Sequence, residues 1–353
     1  MVLLFGNYLL NNCSLPFTGL ESTIIKHYES FKSNRFPHTN KTNWVDSIYL
    51  INTCYDLELI DYYGESEFLK GKIAITNRNN LYRFLKKAHE LDTYRYIILD
   101  LDIDEIESAY NDSIKTLIME MRDICIPRSQ DFSVYDNRLD SKAGWVDYAT
   151  IPGETGFVKY ELFCDGKLSM PLKMYNDLYK HDAFCKLGPL YFDNYALSQK
   201  TIIPNFNVKF LSSNSVNGKI SKTDYEYQNL GTDIIDGNNV ADINNRIVVI
   251  GDFFSASDLR DTYVGKMPGA IINLNTFIDL ADGKHKIQWG IVLIITIIYM
   301  ILLIWTIRSA IFLKRIKVLF PRFDYSGINV PLVAVCNVPP VAQCNVPPQK
   351  WLQ

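Results

Sequence analysis

The chain has 353 residues, a formal net charge of −3 and 48% hydrophobic residues, which is enough apolar content for a folded core. The charge is unevenly placed. The residues from Arg308 onward carry six basic side chains and one acidic side chain, whereas the remainder carries a net charge of −8. An acidic main part argues against nucleic acid as its partner. The length permits one large domain or two small ones.

The first half of the chain alternates predicted strands and helices. Ser47–Ile51 and Tyr96–Leu101 are short apolar runs that predict buried strands. Between them, a helix from about Asn80 shows apolar residues at helical spacing. This order predicts a parallel strand pair with a crossover helix. A second helix is predicted from about Ser113, whereas residues 52–77 show no clear pattern.

The second half continues with the same kinds of element. Gly156–Phe163 alternates as a half-exposed strand, and Ser169–Tyr179 predicts a helix. Residues 200–240 are rich in Asn, Ser and Asp and predict loops. Arg246–Ile250 predicts a buried strand, and Pro268 opens a last amphipathic helix. We therefore predict a mixed, partly parallel α/β sheet with flanking helices, followed by one transmembrane helix.

That transmembrane helix rests on the apolar stretch from Trp289 to Ile307. Its 19 positions carry no charge, and at about 1.5 Å per residue they span roughly the 30 Å hydrocarbon core of a bilayer. Trp289 and Trp305 lie near its ends, where such rings favour the membrane interface. The alternative is a buried helix of a large soluble core, which rarely runs this long without a charge. We predict a membrane helix over residues 287–307.

Basic residues around this helix predict its orientation. Only Lys284 and Lys286 lie close before it, whereas five basic residues follow it: Arg308, Lys314, Arg315, Lys317 and Arg322. The positive-inside rule therefore places the C-terminal side in the cytoplasm. This predicts a single-pass protein of a cell inner membrane, with an extracytoplasmic domain over residues 46–285 and a short basic cytoplasmic tail over residues 308–353. A tail-anchored cytoplasmic protein is the alternative that the basic flank argues against.

The two ends of the chain carry little information. Residues 1–45 begin with an apolar run that lacks a basic n-region and a cleavage site, so we interpret them as the remnant of a membrane or signal segment, or as following a true start upstream. The tail repeats CNVPP at Cys336–Pro340 and Cys344–Pro348, which is typical of extended, low-complexity sequence.

Seven cysteines occur without CxxC or Cys/His spacing, so they predict no metal site. Cys164 and Cys185 could form a disulfide in an oxidising compartment, although buried single thiols are the favoured interpretation.

Three aspartates lie at the end of the predicted strand Tyr96–Leu101: Asp100, Asp102 and Asp104. If the strand continues, their side chains share one face, and carboxylates so placed can hold a hard cation. The alternative is an acidic, solvated strand end, which we favour because a cation cage needs further ligands from elsewhere. We therefore expect no metal and no cofactor, with these three as the candidate ligands.

A polar loop that follows the strand Arg246–Ile250 contains Asp258, Arg260, Asp261 and Thr262. Ligands of open α/β sheets bind outside the carboxyl ends of the strands, so its position makes this loop a candidate ligand site. Together with Asp100, these four residues are the ones that we expect to bind a ligand. The alternative is that the loop charges pair with neighbours and fix the loop.

Familiar catalytic motifs are missing. The chain has no GxGxxG after a strand, no GxxxxGK[ST], no HExxH and no GxSxG. The five histidines are scattered and show no obvious acid–base partner. The sequence therefore does not predict an enzyme.

The segment that ends the predicted domain resembles a known family. The residues concerned are Arg246–Asp252 (RIVVIGD), Ser257-Asp258-Leu259, Thr262, Gly265, Met267-Pro268-Gly269 and Asn275. They resemble the close of the type-two CHASE domain, an extracytoplasmic sensory module associated with cyclases and histidine kinases. Earlier segments are similar to that family in the same order: Ser47–Asn52, Arg78, Leu99-Asp100, Ala143–Val146, Gly156–Val158 and Leu168–Leu172. The resemblance covers most of residues 45–282 and implies a sensory α/β domain before a membrane segment.

The sequence also departs from that family. Asn52 stands where the family often has an acid, Asn273 stands where a histidine is frequent, and the Trp-Pro run usual before Arg78 is absent. Family members usually have a membrane segment before the domain and several after it, and here a single one follows. The resemblance therefore implies a sensor fold more than a signalling enzyme, with a divergent ligand site or none.

These observations predict a membrane-anchored sensor. An unknown small ligand or an envelope protein would bind outside, and the span would signal to a separate cytoplasmic protein; a homodimer is left open. The main alternative is a structural or interaction protein of the cell envelope with no small ligand. An enzyme with an unrecognised site is a further alternative.

Overall fold

The computed structural model describes residues 44, 47–63, 69–103, 108–128, 137–146, 159–164, 167–179, 184–187, 190–194, 196–206, 208, 227–255, 258–262, 265–287 and 289–319. The strands are β1 (Ile48–Asn52), β2 (Leu57–Tyr63), β3 (Leu69–Thr76), β4 (Tyr96–Asp100), β5 (Ile124–Arg128), β6 (Ala143–Trp145), β7 (Tyr160–Glu161), β8 (Phe163–Cys164), β9 (Lys167–Leu168), β10 (Phe184–Leu187), β11 (Leu190–Asp193), β12 (Ala196–Ser198), β13 (Thr201–Ile202), β14 (Tyr227–Asn229), β15 (Ile247–Gly251), β16 (Leu259–Thr262) and β17 (Gly265–Pro268). The α-helices are α1 (Arg78–Leu91), α2 (Asn111–Glu120), α3 (Met170–Tyr179), α4 (Gly269–Ala281) and α5 (Trp289–Leu319), and short helical turns cover Asn137–Leu139, Leu230–Asp236 and Asn239–Ile243.

A six-stranded parallel sheet lies at the centre of the fold. Its strands follow the order β14–β1–β15–β4–β5–β6, and every neighbouring pair is parallel. The strands β1, β4 and β15 are continuous apolar runs because helices cover both faces of the sheet. The predicted α/β fold class is therefore confirmed.

The position of β15 differs from the simplest interpretation of the sequence. The strand–helix–strand order predicts that β1 and β4 pair, but β15 lies between them and pairs with both. Its sequence is as apolar and β-branched as theirs, which suits a fully buried central position. The local sequence pattern cannot show that a strand distant in sequence lies between β1 and β4.

Two apolar clusters cover the two faces of the sheet. On one face, α1, α2 and the turns at Leu230–Asp236 and Asn239–Ile243 pack against alternate strand residues such as Ile51 and Leu99. On the other face, α3 and α4 pack against the intervening residues, such as Leu50 and Ile98. Residues i and i+2 of a strand share a face, so this alternation makes a three-layer sandwich.

Within residues 52–77, for which no element is predicted, strands β2 and β3 form an antiparallel pair. Strands β2 and β3 pair only with each other among the described strands. In β2, exposed residues alternate with half-buried ones from Leu57 to Asp61, and in β3 the residues from Gly71 to Ala74 are all exposed. The exposed side chains include Leu57 and Leu59. Apolar residues on a solvated surface give weak periodicity, which explains why the sequence pattern fails here.

Helix α5 carries the predicted membrane segment. Of the described helices it is the one long and apolar enough to cross a membrane, over the window Val292–Ser309. None of that window is buried, and Leu293 and Trp305 are among its exposed side chains. The length and apolar composition of α5 agree with the predicted membrane segment, and the orientation of the helix remains a prediction.

Candidate functional site

At the carboxyl edge of the sheet, the chain leaves neighbouring central strands toward opposite faces. From β15 the chain leads to α4 on one face, whereas from β1 and β4 it leads to α1 and α2 on the other face. Neighbouring strands with opposite exits leave room outside their carboxyl ends, where ligands of open α/β sheets bind. The edge beside β15 is therefore the candidate site.

Three residues in register line the α4 side of this edge. Asn52 is the register partner of Gly251, and Gly251 is the partner of Asp100. Each lies two positions after a strand residue that faces α4, and residues i and i+2 of a strand share a face, so all three are on the α4 side. Because Gly251 has no side chain, the start of α4 packs here: a Cβ on Gly251 would lie 3.3 Å from the Cβ of Ala270.

Asp100 and Asp258 form an electrostatically coupled pair at this edge, and both are partly buried. Burial raises the pKa of Asp100, and the Arg260 guanidinium lowers it in part. Burial also raises the pKa of Asp258, the charge of Asp100 raises it further, and Asp252 adds to this, against the lowering effects of Arg260 and the Gly269 amide. Asp100 and Asp258 thus share one exposed arginine, and the charged form of each is disfavoured.

Polar side chains at the neighbouring strand ends fix the loops. The Asn52 side-chain oxygen accepts hydrogen bonds from the backbone amides of Cys54 and Phe253 at 3.2 and 3.3 Å. Asp252 accepts from the amides of Phe254 and Ser255 at 3.0 and 2.8 Å. Asn52 is fully buried, so it serves the architecture of the edge.

Of the five predicted ligand-binding residues, the structure brings three together. Asp100, Asp258 and Arg260 interact electrostatically. Asp261 is exposed, and strand alternation turns it away from Arg260. The Thr262 hydroxyl is buried and donates to the Gly265 carbonyl at 2.6 Å, so it closes the β16–β17 turn.

Of the predicted cation ligands, Asp100 lies in β4 and Asp102 lies beyond its end, so these two do not share a strand face. Strand β4 ends at Asp100, so the alternation that would align the three aspartates does not continue. The backbone carbonyl of Asp102 accepts a 2.6 Å hydrogen bond from the Arg78 guanidinium, and Asp104 lies outside the described residues. Within the described ranges, no three His, Cys, Asp or Glu side chains lie close enough to hold a metal ion.

A second polar cluster forms where the segment between α4 and α5 contacts β11 and α3, and the sequence does not predict it. Asp193 is fully buried, and its Oδ2 lies 2.7 Å from His285 Nε2 and 3.0 Å from Lys286 Nζ. The Tyr175 hydroxyl donates to the same oxygen at 3.1 Å. The expectation that the histidines have no acidic partner is therefore wrong for His285. The 92 residues that separate it from Asp193 explain why no local motif shows the pair.

Burial alone would raise the pKa of Asp193. The hydrogen bonds from His285 and Lys286 outweigh burial, and the pKa of Asp193 is lowered to about 2. Asp193 is therefore ionised at all physiological pH values and holds the positive charge of Lys286 beside it.

Comparisons with protein-family models, curated proteins and solved structures return no match to this chain. The resemblance to the type-two CHASE domain therefore stays a prediction.

Proposed function

We propose that this chain is a membrane-anchored sensor whose outer domain binds a small polar ligand at the carboxyl edge of its central sheet. The observation that carries the proposal is the partly buried pair Asp100 and Asp258, which interact electrostatically beside the carboxyl end of β15. A raised carboxyl pKa means that the charged form of the group is unfavourable in the folded protein. A ligand that carries positive charge or donates hydrogen bonds would stabilise that charged form.

The path of the chain supports a sensory function. Helix α4 begins beside Asp258, whose carbonyl accepts from the Gly269 amide at 3.3 Å. The same helix ends at Ala281, eight residues before α5 begins at Trp289. One buried helix thus connects the candidate ligand site to the segment that enters the apolar helix. In this proposal the domain is extracytoplasmic and type-two-CHASE-like, and its output is a separate cytoplasmic protein.

The proposal is tested by thermal unfolding of the full chain in lipid nanodiscs. A panel of amines, amino acids and divalent cations is titrated, and a true ligand raises the melting temperature as its concentration rises. The rise should be lost in Asp100→Ala and Asp258→Ala and kept in the matched control Asp61→Ala, which is exposed on the hairpin. A rise that survives both edge substitutions removes this edge as the site.

The alternative is an interaction protein of the cell envelope without a small ligand, and the β2–β3 hairpin favours it. Its exposed apolar side chains include Leu57 and Leu59, which are 49% and 68% exposed. A two-stranded hairpin is marginally stable by itself, so a protein that covers it would add stability. Loss of a co-purifying envelope protein on Leu59→Asp, with no ligand-induced melting shift for wild type, would favour this function.

A further inference from the structure

The short segment between α4 and α5 is fastened to the outer domain by main-chain hydrogen bonds. The Gln199 amide donates to the His285 carbonyl at 3.1 Å, and the Ile287 amide donates to the Leu197 carbonyl at 2.8 Å. These two bonds flank an antiparallel bridge between Ser198 and Lys286. The segment therefore adds a short strand to β12 immediately before the apolar helix.

Side chains close the same junction. His285 and Lys286 both approach the fully buried Asp193, and the ring of Tyr175 lies 5.5 Å from the imidazole of His285. We call this set of contacts the clamp: Asp193, Tyr175, His285 and Lys286 with the Ser198–Lys286 bridge.

The clamp is closed at a cost. His285 Nδ1 and Asp193 Oδ1 are buried, and neither meets a hydrogen-bond partner among the described residues. Each buried polar atom left without a partner costs about 1–3 kcal/mol. Opening would give both atoms to water, so the free-energy gap between the closed and open clamp is reduced. A small gap between two arrangements is what a switch requires.

Helix α4 is a rigid connection from the carboxylate pair to the clamp. It is buried from Gly269 to Leu280, and its 13 residues span roughly 20 Å. Asn275 exchanges two hydrogen bonds of 2.9 Å with the backbone of Val208, and Asn273 accepts from the Tyr160 hydroxyl at 2.7 Å. A helix held in this way moves as one body, so a shift at its start reaches His285.

We propose that the clamp is a releasable junction, and that α4 couples the charge state of the carboxyl edge to its opening. The inference rests on the proposed sensory function and adds its transmission step. A charged Asp258 attracts the positive N-terminal end of α4 and holds the helix toward the carboxyl edge of the sheet. Removing the charge of Asp258 by substitution, or pairing it with a cationic ligand, weakens that attraction and favours the open clamp.

Hydrogen exchange on the full chain in nanodiscs tests the coupling. At about pH 9, where the wild-type Asp258 is charged despite its raised pKa, Asp258→Asn should speed exchange at the Gln199 and Ile287 amides by about fivefold or more. The exchange rate of the α1 amides should stay the same or decrease, because removing a buried charge stabilises the domain. The matched control Asp61→Asn should change neither amide.

A disulfide provides the second arm. Ser198 and Lys286 are directly opposite in a non-hydrogen-bonded antiparallel pair, where Cα atoms lie about 4.5 Å apart and suit a disulfide. In oxidised Ser198→Cys/Lys286→Cys protein, Asp258→Asn should no longer affect the two amides, and reduction should restore the effect. Unchanged exchange in Asp258→Asn, or an effect that survives the disulfide, overturns the coupling. Neither result depends on the ligand titration, so failure of the clamp and failure of ligand binding are separately visible.

Discussion

Asp100 and Gly251 are register partners on adjacent parallel strands, and the glycine leaves the space into which the first turn of α4 packs. A Cβ on Gly251 would lie 3.6 Å from the Cβ of Asp100 and 3.3 Å from that of Ala270. The close approach of strand end and helix start creates the half-buried environment that raises the pKa of Asp100. The architecture of the edge therefore depends on one missing side chain.

Gly251→Val should destabilise the domain by about 1–3 kcal/mol, because the added methyl groups overpack the strand–helix contact. Urea unfolding of the full chain measures the change. The control Ala74→Val adds the same kind of volume on the exposed strand β3 and should change stability by less than about 0.5 kcal/mol. Equal effects of the two substitutions would show that α4 does not pack closely over Gly251.

Asp258→Asn should stabilise the protein by about 1 kcal/mol at alkaline pH. The raised pKa of Asp258 means that the folded state binds its proton more tightly than the unfolded state, so wild-type stability falls as pH rises from about 4 to that raised pKa. Asn carries no titrating proton, so the two stability curves should converge below about pH 4. Chemical unfolding at a series of pH values checks this. A difference that is independent of pH would contradict the electrostatic account.

Asp193→Asn should destabilise the protein by about 2–4 kcal/mol near neutral pH, since the buried Asp193 holds His285 and Lys286. The depressed pKa of Asp193, about 2, contributes stability above its unfolded value of about 3.9. That contribution is lost as pH falls toward 2, so the variant and wild type should converge there. Asp112→Asn, whose side chain is 93% exposed, serves as the control. A loss no larger than the control's would show that the clamp carries no stability.

The two described thiols should be slow to react in the folded protein. Burial and the neighbouring Asp252 carboxylate raise the pKa of Cys54 to about 11, and burial raises the pKa of Cys125 to about 12. Thiolate is the reactive form, so maleimide labelling near pH 7 should require unfolding at both positions. Peptide mass spectrometry after timed labelling gives the rates. Rapid labelling of Cys54 in the folded state would contradict its contact with Asp252.

The sequence predicts the elements that periodicity encodes. The predicted strands β1, β4 and β15 and the predicted helix α1 are confirmed. A strand buried on both faces is a continuous apolar run and a helix buried on one stripe has apolar residues at helical spacing, so both are visible in the local sequence. Helix α4 is predicted as amphipathic but is buried on all sides from Gly269 to Leu280. Its Asn273 and Asn275 suggest an exposed face, yet both form buried hydrogen bonds with distant residues.

The candidate site is predicted only in part, for the same reason. The rule for open α/β sheets predicts a site in the loop of Asp258, which interacts with Asp100 at the end of β4, whereas Thr262 closes a turn. Ligand binding by these residues stays a prediction. The clamp is missed because Asp193 and His285 lie far apart in sequence. The Cys164–Cys185 disulfide stays untested, since the side chains of both lie outside the described residues.

Cysteine labelling in cells decides whether the large domain is extracytoplasmic. All native cysteines are replaced by serine, and one new cysteine is introduced in each of two variants. The positions are Asp112, which is 93% exposed, and Lys350 in the tail. A membrane-impermeant maleimide is applied to intact and to permeabilised cells. If the domain is extracytoplasmic, the Asp112→Cys variant is labelled in intact cells, and the Lys350→Cys variant is labelled only after permeabilisation. Labelling of Lys350→Cys alone in intact cells would place the domain in the cytoplasm and contradict the account.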